Sequence, residues 1–375
     1  MINFDTNALE TPYFMVDESL IIKNLEILAR VRQEAGCKIL LAQKAFSMYA
    51  LYPLISRYLD GTCASGLHEA LLARRHFRGE NHVYSPAYAA REFAEIVRTA
   101  DHIIFNSFDQ WQRFKHMAAG KVCGIRINPE FSTQDGDIYN PCAPNSRLGT
   151  TLANFRADEL DGIIGLHFHT LCQQGADALA ATMNIVEEKF GKYLHQLDWL
   201  NMGGGHHITR PDYDVDALIA LIKRVKATYD IEVYLEPGEA IALNAGYLVA
   251  EVLDIIRNGM DIAILDASAA CHMPDVLEMP YRPHIIGSGQ PSEKAFTYRF
   301  GGPSCLAGDI IGDYSFDTPL KAGDRVVFTD MAIYSMVKTN TFNGMRLPSI
   351  ALLRRNSQIE TLRTFGYEDF KARLS

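Results

Sequence analysis

The sequence predicts an α/β architecture: a (β/α)8 barrel followed by a C-terminal, mostly β domain. Three observations carry that prediction. Eight short apolar runs recur, the early ones roughly twenty residues apart, as strand–helix units do. Helix-like stretches such as 87–99 and 177–190 lie between them. After about residue 244 the texture changes to β-like runs separated by Gly and Pro. The alternation alone also fits a doubly wound sheet, so both architectures stay open at this point. The expected domain limits are 12–243 for the barrel and 244–375, joined by 1–11, for the β-rich domain.

The barrel runs follow in order. They are 38–42 (KILLA), 61–64 (GTCA), 82–84 (HVY), 102–105 (HIIF), 122–127 (VCGIRI), 163–168 (IIGLHF), 199–202 (WLNM) and 231–235 (IEVYL). Most are short and rich in β-branched or aromatic residues, the signature of buried parallel strands. One wider gap holds 131–149, rich in Asn, Asp, Pro and Gly, which reads as a long loop of the kind that often carries function. Beyond it, 247–256, 262–265, 296–300 and 325–328 read as strands of the second domain.

Composition narrows the function classes. Hydrophobic residues make up 48% and charged residues 22%, which excludes wholesale disorder, collagen and coiled coil. The net charge of −9 repels phosphate backbones, so nucleic acid is not an expected partner, whereas a cationic substrate is compatible. No apolar run approaches the roughly 20 residues of a membrane span, and residues 1–10 show no signal-peptide pattern. The seven cysteines are scattered with no CxxC pair, so free thiols in a reducing cytoplasm are expected.

In such a barrel the chemistry sits at the C-terminal ends of the strands. There the sequence places Lys44 (LAQKAF), His167 and His169 (LHFHT), a glycine triplet at 203–205, and Glu236 and Glu239 (LEPGEA). A lysine after a strand is usually solvated, but one shielded in a mouth becomes nucleophilic and suits Schiff-base chemistry. A glycine triplet makes a flexible turn or lets backbone N–H groups approach a phosphate. Its spacing is not that of a dinucleotide fingerprint, and no acid follows at the required distance, which speaks against an oxidoreductase of that type. His169 is suited to a barrel interior or to stacking on a flat ring. The histidine pair lacks a clear third ligand, so no metal is expected there. Glu236, a carboxylate before a Pro-Gly break, could keep a pyridine nitrogen protonated.

LAQKAF, LHFHTLCQQ, NMGGGHH, LEPGEA, CHMPDVLEMPYRP and GGPSCLAGD stand in one order along nearly the whole chain. In that order the sequence resembles the fold-type III pyridoxal-phosphate enzymes, the group of alanine racemase and of ornithine and diaminopimelate decarboxylases. Within the group it is most similar to the decarboxylases of carboxynorspermidine and carboxyspermidine. The resemblance implies that Lys44 carries pyridoxal phosphate, that His169 stacks on its ring, and that Gly204 and Gly205 cradle its phosphate with the hydroxyl of Tyr334 (DMAIYS). It implies that Glu236 pairs with the ring nitrogen and that Arg126 (GIRINP) sits near the cofactor. Cys305 would enter from a neighbouring subunit and return a proton after CO2 leaves, which implies a homodimer with a shared site.

Two positions depart from the family pattern. Related decarboxylases carry Arg after the EPG turn, where Glu239 stands here. They often place an acid after the catalytic cysteine, where Leu306 stands here. Both changes argue against plain ornithine or diaminopimelate. Glu239 could instead meet a substrate ammonium. Asp275 and Asp309 are further candidates for the amines of the substrate, although loop caps and turn aspartates fit both positions as well. A racemase, a non-catalytic cofactor carrier and a polyamine-binding protein are the alternatives; Glu236 speaks against the first, because racemases of the group favour Arg at the ring nitrogen.

Overall fold

A computed structural model of the chain describes residues 2–134 and 136–375. Position 135 of the predicted long loop lies outside the described residues. The chain divides into two units, one of residues up to Ile22 with Ala242–Ser375, the other Lys23–Ile241.

The first strand, β1 (Tyr13–Asp17), belongs to the first unit. All five of its residues are buried, because it lies inside a sheet with neighbours on both sides. Residues 12–22 therefore group with the sheet, not with the barrel as the sequence limits had them.

The second unit is a closed parallel barrel. Its strands are β2 (Lys38–Ala42), β3 (Gly61–Ala64), β4 (Glu80–Tyr84), β5 (His102–Phe105), β6 (Val122–Arg126), β7 (Gly165–His167), β8 (Trp199–Asn201) and β9 (Glu232–Leu235). Closure comes from Lys38 and Ile39 of β2 pairing with Tyr234 and Leu235 of β9, which rules out the open doubly wound sheet. The predicted helices 87–99 and 177–190 are Ala90–Thr99 and Ala176–Leu194. Ala90–Thr99 buries Phe93, Ile96 and Thr99, three apart, on one face.

Alternation along the strands sets the barrel interior. Glu80, His82 and Tyr84 share one face of β4, and ring contacts across the barrel show that this face points inward. His82 meets Tyr234 at 4.9 Å, Tyr84 meets His167 at 5.5 Å, and His102 meets Trp199 at 5.8 Å. The indole of Trp199 fills the lower barrel only because its neighbours lack side chains. A Cβ on Gly165 would lie 2.0 Å from the ring, and one on Gly124 2.3 Å. The apolar packing here joins Leu40, Ile104, Trp199 and Tyr234.

In the first unit the strands are ordered β13-β12-β11-β10-β1-β15-β16, with β14 also on β10. The long β10 (Gly246–Asn258), β11 (Met260–Leu265), β12 (Phe296–Gly301) and β14 (Arg325–Thr329) overlie the four predicted runs. The sequence reading missed β1, β13 (Ile310–Phe316), β15 (Ser349–Leu353) and β16 (Ile359–Arg363). Among the described residues, no helix is long and apolar enough to cross a membrane.

Candidate active site

The inward face of β2 continues past its last residue to Lys44, which is exposed in the barrel mouth. Backbone bonds hold this extension in place: Ala42 N–H donates to Pro237 O at 3.0 Å and Gln43 N–H to Cys63 O at 3.2 Å. Lys44 Nζ lies 3.4 Å from His169 Nε2. On the other side of that ring, Gly204 N–H donates to His169 Nδ1 at 2.9 Å. Nδ1 is thus an acceptor, and the proton of the neutral ring sits on Nε2, facing the lysine. Burial, reinforced by Lys44 and Arg126, holds His169 well below the usual imidazole range, so the ring is neutral at pH 7.

The glycine turn makes this arrangement possible. Gly203 and Gly205 have φ of +70° and +82°. A Cβ on Gly203 would lie 2.4 Å from Phe168 O, and one on Gly205 1.8 Å from Leu171 O. The turn is pressed against the backbone that carries His169. The Gly204 N–H, which the resemblance implies for a phosphate, here donates to His169 Nδ1.

Glu236 follows β9, and its N–H donates to Gly203 O at 2.7 Å. Its Oε1 accepts from Asn201 Nδ2 at 2.7 Å, while Asn201 Oδ1 accepts from Gly203 N–H at 2.9 Å. The backbone thereby sets which way the Asn201 amide faces. His167 Nε2 is 3.3 Å from Glu236 Oε2. Burial opposes ionisation of Glu236, but His167, His82 and Asn201 outweigh it and hold the carboxyl at about 2. Glu236 is therefore a buried carboxylate at neutral pH. Burial and the same carboxylate push the Cys63 thiol well up.

Arg126 donates from Nη2 to His169 O at 3.0 Å and lies 4.6 Å over the Tyr84 ring. Tyr84 donates to Asn106 Oδ1 at 2.7 Å, which also accepts from Gly149 N–H at 2.7 Å. The end of the long loop is thus tied to the mouth. Glu239 is nearly buried, held by His207 Nε2 at 2.9 Å and Gln173 Nε2 at 3.1 Å.

Lys44, Arg126, His169, Gly204, Gly205, Glu236 and Glu239 thus all lie at the strand ends of the barrel unit. The other candidates lie in the sheet unit. Cys305 is exposed, with its N–H donating to Asn343 Oδ1 at 2.7 Å. Tyr334 takes a left-handed φ of +49°. Asp275 opens the short helix Asp275–Glu278 and is ion-paired to Lys338. Asp309 is buried and accepts from Ser268 Oγ, Ser304 Oγ and Ala270 N–H, so its carboxylate fastens a turn instead of facing a cationic tail. Sequence reasoning missed Asn201 and Gln173, and gave neither His167 a role at Glu236 nor His207 one at Glu239. Alternation back from His169 to His167 was the one available signal.

The comparisons with known proteins decide the family. Residues 46–332 match the family model described as pyridoxal-dependent decarboxylase, C-terminal sheet domain. The chain belongs to these decarboxylases. It is 43% identical over 376 residues to a carboxynorspermidine/carboxyspermidine decarboxylase of Campylobacter jejuni, covering 97% of this chain and 98% of the relative. It is 44% identical over 372 residues to a carboxyaminopropylagmatine decarboxylase of Synechocystis, covering 98% and 96%. The crystal structure of Campylobacter jejuni carboxynorspermidine decarboxylase complexed with norspermidine is similar with a TM-score of 0.92 at 42% identity, covering 97% of this chain and 100% of that one.

As a member of the family the chain is a carboxy-lyase that uses pyridoxal phosphate. The residues present fit that group. A lysine amine beside a neutral imidazole suits an aldehyde, and an ionised buried carboxylate suits a ring nitrogen that must hold a proton. Once bound, the cofactor supplies an electron sink for the negative charge left when CO2 departs.

Proposed function

We propose that this decarboxylase acts on carboxynorspermidine and carboxyspermidine, releasing CO2 with norspermidine or spermidine, as a step of polyamine biosynthesis in the cytoplasm. The single observation that carries the chemistry is the convergence of Lys44, His169 and Glu236 at one end of the barrel. Lys44 would hold the cofactor through its amine, and His169 keeps its Nε2 proton toward that amine. Glu236 keeps the ring nitrogen protonated, and Arg126 braces the strand behind His169. Gly205 and Tyr334 are assigned to the phosphate.

Cys305, exposed in the sheet unit, is assigned the return of a proton, contributed by the partner in a homodimer. The acids Glu239 and Asp275 are assigned to the amines of the substrate. Asp275 would have to exchange its Lys338 partner for a substrate ammonium.

The second reading keeps the reaction and changes the tail. The Synechocystis relative is named for a substrate built on agmatine, which ends in a guanidinium where the triamines end in an ammonium. The test is CO2 release from protein supplied with pyridoxal phosphate and each of the three carboxylated substrates in turn. The triamine reading expects kcat/KM at least about tenfold higher on a carboxylated triamine. A preference of that size for the agmatine compound would replace it, and no CO2 from any of them would remove both readings.

A further inference from the structure

Residues 302–309 of the sheet unit link β12 to β13, and Pro303, Cys305, Leu306, Ala307 and Gly308 are all exposed. An exposed turn of this kind is usually free to move. This one is built around a single buried carboxylate, that of Asp309. Ser304, the residue before Cys305, donates from Oγ to Asp309 Oδ2 at 2.6 Å. The same Oγ accepts from the N–H of Leu306, the residue after Cys305, at 3.4 Å. Gly302 N–H donates to Asp309 O at 2.9 Å, and Asp309 N–H donates to Leu306 O at 2.9 Å. A Cβ on Gly302 would lie 2.3 Å from Asp309 Oδ2 and 2.8 Å from Ser268 Cα, so the turn closes this tightly only on a glycine.

The same carboxylate also fixes the segment that grips the cysteine itself. Asp309 Oδ1 accepts from Ala270 N–H at 3.1 Å. Ser268 Oγ lies 2.8 Å from Asp309 Oδ2 and accepts from Cys271 N–H at 3.1 Å. Residues 270 and 271 then hold Asn340: Ala270 O accepts from its Nδ2 at 2.8 Å, and Cys271 O from its N–H at 3.0 Å. Three residues further on, Asn343 Oδ1 accepts the Cys305 N–H at 2.7 Å. Both restraints on Cys305, through its two neighbours and through its own N–H, lead back to Asp309.

We infer that Asp309 and Ser304 are positioning residues for the return of the proton, holding Cys305 so that its thiol meets the substrate carbon from one side; this rests on the assignment of that step to Cys305. When the bond to the carboxylate breaks and CO2 leaves, the electron pair left on that carbon takes the thiol proton. The thiolate then recovers a proton from water. A misplacement of about 1 Å can cost roughly a hundredfold in such a step, so an exposed thiol needs a turn that does not drift. Hydrogen bonds to a carboxylate are shorter and stronger than neutral ones, which suits Asp309 to that task.

The test uses holoenzyme turning over a carboxylated substrate in D2O, where a deuteron takes the place of CO2. Wild type should deliver it to one face of the carbon, and Cys305→Ala should lower kcat and deliver it to both. Ser304→Ala and Asp309→Asn should each lower kcat at least about fivefold and scramble the face, with KM and cofactor absorption held within about twofold. In a Cys305→Ala background either change should cost less than about twofold more, because no thiol is left to place. An equal loss in both backgrounds, or full kcat and one-face delivery in both single variants, would overturn the inference while the thiol keeps its role. Unchanged kcat and one-face delivery in Cys305→Ala would remove the thiol from the reaction, and the inference with it. Ser304→Ala takes away one partly exposed hydroxyl and decides alone where Asp309→Asn fails to fold.

Discussion

The two ends of the barrel hold the same kinds of residue in different company. Lys38 and Lys44 stand six positions apart on one strand path and on one face, about 20 Å apart by strand rise. Each end adds a carboxylate and two histidines. At the floor Lys38 is bound to Glu80 and to Tyr234 OH. Burial opposes its charge, but those two partners outweigh burial and raise its pKa, which makes it a fixed cation. At the mouth Lys44 faces the Nε2 of a neutral imidazole, and makes no ion pair among the described residues. The carboxylate there, Glu236, is reserved by Asn201 and His167. Residue type does not separate a structural lysine from a reactive one here; the charge of its first neighbour does.

Exchanging the fates of the two lysines is the strongest way to break that comparison. Lys44→Ala should abolish turnover and the visible absorption of bound cofactor. Lys38→Met should keep that absorption and cost stability instead, about 1–2 kcal/mol for a half-exposed pair, read by denaturant unfolding. Bleaching in Lys38→Met with full colour in Lys44→Ala would reverse the assignment. Mixing Lys44→Ala chains with Cys305→Ala chains should restore part of the activity if the site is shared, and no recovery would count against a shared site.

Glu236→Gln comes next in size. Without its charge the ring nitrogen loses its proton, and kcat should fall about a hundredfold or more while Lys44 still holds the cofactor. The pH dependence has a definite sign. The folded pKa of Glu236, about 2, lies below the unfolded value near 4.3, so its contribution to stability is complete above pH 4.3 and lost as pH falls toward 2. The stability gap between wild type and Glu236→Gln should therefore narrow over that interval. A gap that widened on acidification would show that Glu236 is protonated in the fold.

What the sequence made legible follows from periodicity. All eight barrel strands lay at apolar runs, and five of their starts agree with the structure, because buried parallel strands read as short uninterrupted apolar segments. The strand at Tyr13–Asp17 was missed because nothing local distinguishes a sheet centre from a barrel strand; its partners, Val249 and Ser349, are more than two hundred residues away. The same limit applies in the site. Lys44, His169 and Glu236 could be placed from strand ends alone. That the N–H of Gly204 is spent on His169, and that Asp309 is spent on two serines, depends on contacts no spacing reveals.

Glu239 offers the smallest and finest test. It stands where related decarboxylases carry Arg, and the structure gives it two hydrogen-bonding neighbours, His207 and Gln173, with little exposure. If its role is to meet a substrate ammonium, Glu239→Gln should raise KM for the carboxylated triamine about tenfold, the worth of one charge-assisted hydrogen bond, and leave cofactor affinity within about twofold. If instead the pair with His207 serves the phosphate, cofactor affinity should fall as KM rises. Titrating pyridoxal phosphate and substrate separately distinguishes the two. The first outcome makes the mouth, like the floor, a place where a cation is read by a carboxylate already in hydrogen-bonded company.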